Sequence, residues 1–229
     1  MTHLPSMKIL PATGETKAVV LVLHGGAENG TGRIRRWSRP YLRMLPFARA
    51  LRDAGKQHGI EVCLLRNRVR GWNKPDLDPV QDGRWALRRL AEGHPGLPIV
   101  LIGHSMGGRV ALRVADDPRV VGVCALAPWT TDKDWVSPVE GVNVLIAHGT
   151  EDQITTPESS FEYAKRASEV TTVLRFELAD EAHAMLRRPK TWTRLVRAFA
   201  LESLGITQYE PLLASAAQLP SGDRIRLRV

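Results

Sequence analysis

The chain has only two cysteines among its 229 residues, Cys63 and Cys124, each inside an apolar stretch (EVCLL and VVGVCALA). That excludes a disulfide scaffold; without an export signal, two buried reduced thiols are expected. Neither lies in a CxxC pattern or beside other ligand-type residues, so no metal site is expected. Long hydrophobic runs are also missing: Ala18–Leu23 and Ile99–Ile102 fall far below the roughly 18 residues needed to span a bilayer. The opening MTHLPSMKILPATGETK lacks the basic start and continuous apolar stretch of a signal peptide. The expectation is a cytoplasmic protein without stable membrane insertion. Internal repeats and low-complexity blocks are absent, which excludes a fibrous chain or a repeat array.

What is present is an ordinary globular balance, 43% hydrophobic and 24% charged residues. A chain of this length fits one domain and can bury roughly three-quarters of its unfolded surface. The net charge is +8, and of the 32 basic residues only seven are Lys. Arg33, Arg35, Arg36 and Arg39 interleave with Trp37 and Tyr41, and Arg66, Arg68 and Arg70 precede Trp72. Such a surplus attracts anions, but arginine also recurs on presumed solvent faces. No zinc finger, single-strand-binding motif or helix-turn-helix accompanies it, so nucleic acid is not an expected partner.

Short apolar runs alternate with helical spacing. Ala18–Leu23, Ile60–Leu65, Ile99–Ile102, Val120–Leu126, Val142–Ala147 and Thr172–Phe176 read as strands. The first five are apolar nearly throughout, as strands covered on both faces require. Leu42–His58, Pro79–Ala91 and Met106–Ala115 have helical spacing, and Pro157 and Pro189 each open a further helix, where a missing N–H costs nothing. This order predicts a three-layer α/β/α sandwich with a mostly parallel sheet and right-handed crossovers. Residues 1–204 are expected to form the domain. Residues 205–229 break the pattern and are expected as an extension, packed or partly loose.

The sharpest feature is Gly103-His104-Ser105-Met106-Gly107, directly after one strand and directly before a helical stretch. That is the setting of a G-x-S-x-G nucleophile elbow. A strand turning into a helix within so few residues strains the serine, and Gly103 and Gly107 remove side chains that would collide. The helix N-terminus presents backbone N–H groups to an oxyanion. A serine needs a base, expected on the loop after the last strand, where His183 stands. The orienting acid is expected after the preceding strand, at Asp152; Glu151, Asp180 and Glu181 are its local competitors. Oxyanion donors are expected at the Met106 N–H and in His24-Gly25-Gly26-Ala27, with Gly26 favoured and Ala27 as alternative. His24, His104 and His148 read as braces of their turns.

These motifs resemble those of the α/β-hydrolase superfamily: His24-Gly25-Gly26, Gly103 to Gly108, His148-Gly149-Thr150-Glu151-Asp152 and the His183 segment. The resemblance spans residues 18 to about 200. It implies an α/β-hydrolase fold and esterase-like chemistry without a cofactor, in which Ser105 attacks an acyl carbonyl and water later releases the acyl group with His183 as base. A small-molecule ester is the expected substrate, with a thioester, lactone or amide as alternatives and a non-catalytic binding protein on the same scaffold as a third. Serine at position 105 speaks against halide- or epoxide-directed relatives, which carry a carboxylate there, and against dienelactone hydrolases, which carry cysteine. Only Ala127 to Gly141 separates two strands where many relatives insert a lid, so an open site is expected. Ala27, Trp72, Trp129 and, less, Trp37 are candidates for its wall, and the Arg33–Arg39 segment for an entrance that favours acidic substrates.

Overall fold

Strands that are apolar on both faces have to be covered on both faces, and the order of the elements follows from that. The computed structural model describes residues 4–206 and 210–229. The first three residues of the chain start and residues 207–209 of the tail, both read above, lie outside the described residues. The strands are β1 (Ser6–Leu10), β2 (Ala18–Leu23), β3 (Ile60–Arg66), β4 (Ile99–His104), β5 (Val120–Leu126), β6 (Asn143–Gly149), β7 (Val173–Leu178) and β8 (Leu227–Arg228). They form one sheet in the order β1-β3-β2-β4-β5-β6-β7-β8. Only the β1–β3 pair is antiparallel.

The pleat sorts the apolar runs between two cores. Val20, Val22, Val62, Leu64, Val100, Ile102, Leu145 and Phe176 face the helices α1 (Arg39–Gly55) and α5 (Pro189–Ser203). Their neighbours Val19, Leu21, Cys63, Leu101, Val123 and Ile146 face α2 (Asp78–Gly93), α3 (Met106–Arg113) and α4 (Pro157–Ala167). Each fully buried Val, Leu or Ile contributes roughly 1.5–3 kcal/mol relative to exposure, so the central strands carry much of the stability. Pro40, Pro157 and Pro189 stand in the first turns of α1, α4 and α5.

Two elements differ from the sequence expectation. β1 was not expected; its mixed row SMKIL pairs with β3 at the sheet edge, where one-sided burial tolerates polar residues. The run expected over 172–176 continues to Leu178 as β7, because it pairs with β6 as far as Gly149. After residue 205 the chain forms α6 (Pro211–Ala217), the short α7 (Ser221–Arg224) and β8, with Leu213 and Ala216 in the core and β8 parallel to β7. No helix among the described residues is long and apolar enough to cross a membrane.

Because β2 to β7 run parallel, the loops after β2, β4, β6 and β7 all leave the same edge of the sheet, where open α/β sheets hold ligands.

Candidate active site

Ser105 stands between β4 and α3 with φ 56° and ψ −120°. A non-glycine residue in that region costs on the order of 1–3 kcal/mol and persists only when its surroundings over-determine it. Here they do. Its N–H donates to the Leu126 carbonyl at 2.9 Å, and its carbonyl accepts the Arg109 and Trp129 N–H groups, each at 3.2 Å. A Cβ on Gly103 would strike the Gly107 carbonyl, and one on Gly107 would lie 2.5 Å from the Leu23 carbonyl oxygen. The two glycines are therefore required by close backbone approach. Ser105 remains 8% exposed at the carboxyl edge of the sheet.

The chain brings His183 to Asp152: Nδ1 donates to Asp152 Oδ2 at 2.7 Å. Asp152 sits in a turn in which its Oδ1 accepts the N–H groups of Ile154 (2.8 Å) and Thr155 (3.0 Å). Its Oδ2 also faces His148 Nε2 at 3.2 Å and Thr155 Oγ1 at 3.0 Å. Burial works to raise the Asp152 pKa, but the hydrogen bonds from His148, His183 and Thr155 outweigh it and hold the carboxyl well below the usual carboxylate range. Both hydrogen-bonding contacts of the His183 ring among the described residues involve Nδ1, which leaves Nε2 uncommitted. Of the competing acids, Glu151 turns outward to Arg187 (2.6 Å), while Glu181 is buried and takes the Arg188 N–H.

The other histidines hold this frame. His104 Nε2 donates to the His183 carbonyl at 3.0 Å, and the two rings lie 4.7 Å apart, so the base loop is tied to the residue preceding Ser105. Burial, with the His183 and Arg43 charges behind it, pushes His104 down to about 3, which keeps the ring neutral. His24 donates from Nδ1 to the Gly25 carbonyl at 2.6 Å and accepts the Asn67 N–H on Nε2 at 3.2 Å. Burial lowers its pKa to about 4. Buried His148 joins Asp152 to Ser160, with Nδ1 2.8 Å from the Ser160 hydroxyl.

Met106 is the first residue of α3, where the N–H has no intrahelical partner. The two loops beside it are zipped together: the Ala27 N–H donates to the Arg70 carbonyl at 2.8 Å, and the Trp72 N–H to the Ala27 carbonyl at 2.8 Å. The Ala27 amide is thereby spent inside the loop pair. Gly26 is held so close that a Cβ would strike the Arg70 carbonyl and the Met106 thioether.

Trp72, expected in the wall, is 1% exposed and belongs to the core under Trp129, its ring 5.8 Å away edge-on. Buried to that degree, it does not line a wall open to substrate. The Arg109 guanidinium lies 4.4 Å from the Trp72 ring centre and 4.7 Å from that of Trp129, with its Nε 2.9 Å from buried Asp134. Trp37 is 68% exposed, beside Arg35.

Three residues near the site escaped the sequence reading. Thr155 Oγ1 lies 3.1 Å from His183 Nδ1 and 3.1 Å from the Ala127 carbonyl. Its signal was the Asp-x-x-Thr turn, in which a carboxylate accepts backbone N–H groups two and three residues on. Ile154 and Leu186, close in sequence to the acid and the base, are apolar yet 74% and 75% exposed, which periodicity does not announce.

Comparison with known proteins agrees with the fold. Residues 19–224 match the model of the "Alpha/beta hydrolase family". Human monoglyceride lipase is 31% identical over 120 residues, which are 51% of this chain and 36% of that protein, so the match spans about a third of the relative's length. A serine hydrolase without a lid from Xanthomonas campestris shares the fold at TM-score 0.67 and 18% identity, covering 89% of this chain and 91% of that one. An esterase from Pyrococcus furiosus does so at TM-score 0.64 and 18% identity, covering 86% and 91%.

Proposed function

Since the chain belongs to the alpha/beta hydrolase family and is a hydrolytic enzyme, we propose that it is a serine esterase cleaving carboxylic esters of small or medium size through an acyl-enzyme. The observation that carries this reading is the 2.7 Å Asp152–His183 bond, tied through His104 to the strained Ser105 turn. His183 Nε2 takes the Ser105 proton as Oγ attacks the acyl carbon. The carbonyl π pair moves to oxygen, which rests on the Met106 and Gly26 N–H groups. Collapse of the adduct expels the alcohol, which leaves with the proton from Nε2. Water then repeats the sequence, His183 taking its proton, and returns the serine and the carboxylic acid. Asp152 holds the Nδ1–H tautomer and stabilises the imidazolium.

Trp129, Ile154 and Leu186 offer the acyl group apolar contact at the open rim. The match to human monoglyceride lipase supports trying esters with a small glycerol-like alcohol part. In this reading residues 1–204 are the catalytic domain and residues 205–229 its packed extension. The two free, buried thiols agree with a cytoplasmic setting.

Reaction with a fluorophosphonate, read by mass spectrometry, labels Ser105 in the wild type and nothing in Ser105→Ala. Turnover of p-nitrophenyl acetate falls by roughly 10⁴-fold or more in that variant. A folded wild type that stays unlabelled overturns the assignment.

A further inference from the structure

Apart from the proposed ester site, a recess lies where the edge strand meets the start of α1. β1 and β3 pair so that Ser6 stands opposite Arg66 and Lys8 opposite Leu64. Directly opposed residues, and those two positions along, share a face, so Ser6, Lys8 and Arg66 all point to the α1 side. Tyr41 and Leu45, one helical turn apart on α1, meet them there, and Arg36 closes the rim. Together they line a recess of about 330 Å³.

Its walls carry positive charge with no counter-charge. Every Asp and Glu of the chain is among the described residues, and none forms an ion pair with Lys8, Arg36 or Arg66. Arg68, two residues beyond Arg66, is by contrast paired with Asp78 at 3.0 Å. Arg66 is held in place: Nε donates to Ser6 Oγ at 3.0 Å and Nη1 to the Ile34 carbonyl at 3.4 Å. Its Nη2 is left without a partner among the described residues, so little side-chain entropy remains to be lost on binding. The Tyr41 phenol, whose pKa burial raises, stays a hydrogen-bond donor.

We propose that this recess binds the phosphate monoester group of an amphipathic ligand, with the phosphate on Arg66, Arg36 and Lys8 and the apolar body against Leu45. Guanidinium forks match phosphate oxygens in pairs, and a dianion removes the mutual repulsion of the three cations. The source of that phosphate is a soluble ester or the headgroup of an anionic lipid.

Phenyl phosphate titrated calorimetrically into the full chain at physiological salt, with benzyl alcohol as the neutral control, tests the soluble source. Flotation with phosphatidic acid vesicles against phosphatidylcholine vesicles tests the lipid source. Binding in either arm with one site per chain, weakened about tenfold or more in K8Q/R36Q, is the expected result. Lys8 and Arg36 are exposed, so the variant keeps its thermal midpoint, and K8R/R36K, which preserves the charges, keeps binding. Absence of binding in both arms, or equal binding by K8Q/R36Q, overturns the proposal.

Discussion

Replacing Asp152 by Asn puts a donor in place of the oxygen that His183, His148 and the Thr155 hydroxyl face. The wild-type carboxylate accepts on both oxygens, with the Ile154 and Thr155 N–H groups on Oδ1 and His183, His148 and the Thr155 hydroxyl on Oδ2. An asparagine keeps its oxygen where two backbone N–H groups converge, since turning it round buries two unmatched donors at about 1–3 kcal/mol each. Its NH₂ then faces His183. The Thr155 hydroxyl has an escape, the Ala127 carbonyl at 3.1 Å; the His183 ring has only one, to move its proton to Nε2. In the proposed mechanism that atom accepts the serine proton. The variant keeps its fold and loses turnover by about 10⁴-fold, roughly 5 kcal/mol of barrier. Saturation kinetics on p-nitrophenyl acetate, with the thermal midpoint measured alongside, read both quantities. A variant within tenfold of wild type in kcat, correctly folded, would falsify the placement of Asp152 behind His183.

Three more outcomes follow from the same geometry. The buried histidines His24 and His104 have folded pKa values of about 4 and about 3, against an unfolded value near 6.5. The unfolded chain therefore binds more protons on these groups. Their stabilisation is complete above about pH 6.5 and drains as pH falls toward the folded values, by a few kcal/mol in all; urea melts at pH 7 and pH 5 measure it, and His24→Asn with His104→Asn flattens the slope. Asp152 acts in a lower window: its stabilisation is complete above the unfolded pKa of about 4 and is lost as pH falls toward its strongly depressed folded value, so the acid limb of stability below about pH 4 is shallower in Asp152→Asn. In Gly26→Ala the new Cβ pushes against the Arg70 carbonyl and the Met106 thioether and so shifts the amide proposed as an oxyanion donor. kcat falls about 10²-fold with KM changed far less, and equal kcat in a folded protein argues for a different donor.

The amino-acid order alone carries the central sheet and the serine turn, because each is local, and it supplies the residues of the proposed triad in the order Ser105, Asp152, His183. Uninterrupted apolar runs have to be buried on both faces, and a glycine-flanked serine between strand and helix has few backbone solutions. β1 escaped notice because an edge strand need satisfy only one buried face, and its mixed row SMKIL carries no periodic signal. Trp72 and Trp129 look alike as sequence, yet one is fully buried and the other only partly, packed against the same core. Which of Glu151, Asp152 and Glu181 meets His183 depends on the path of two loops brought together by the β6–β7 pairing. The same holds for the Ala27 amide, used up by a carbonyl far along the chain, and for the cluster of Lys8, Arg36 and Arg66. Contacts between residues distant in sequence are chosen by packing and strand register, which no single segment encodes.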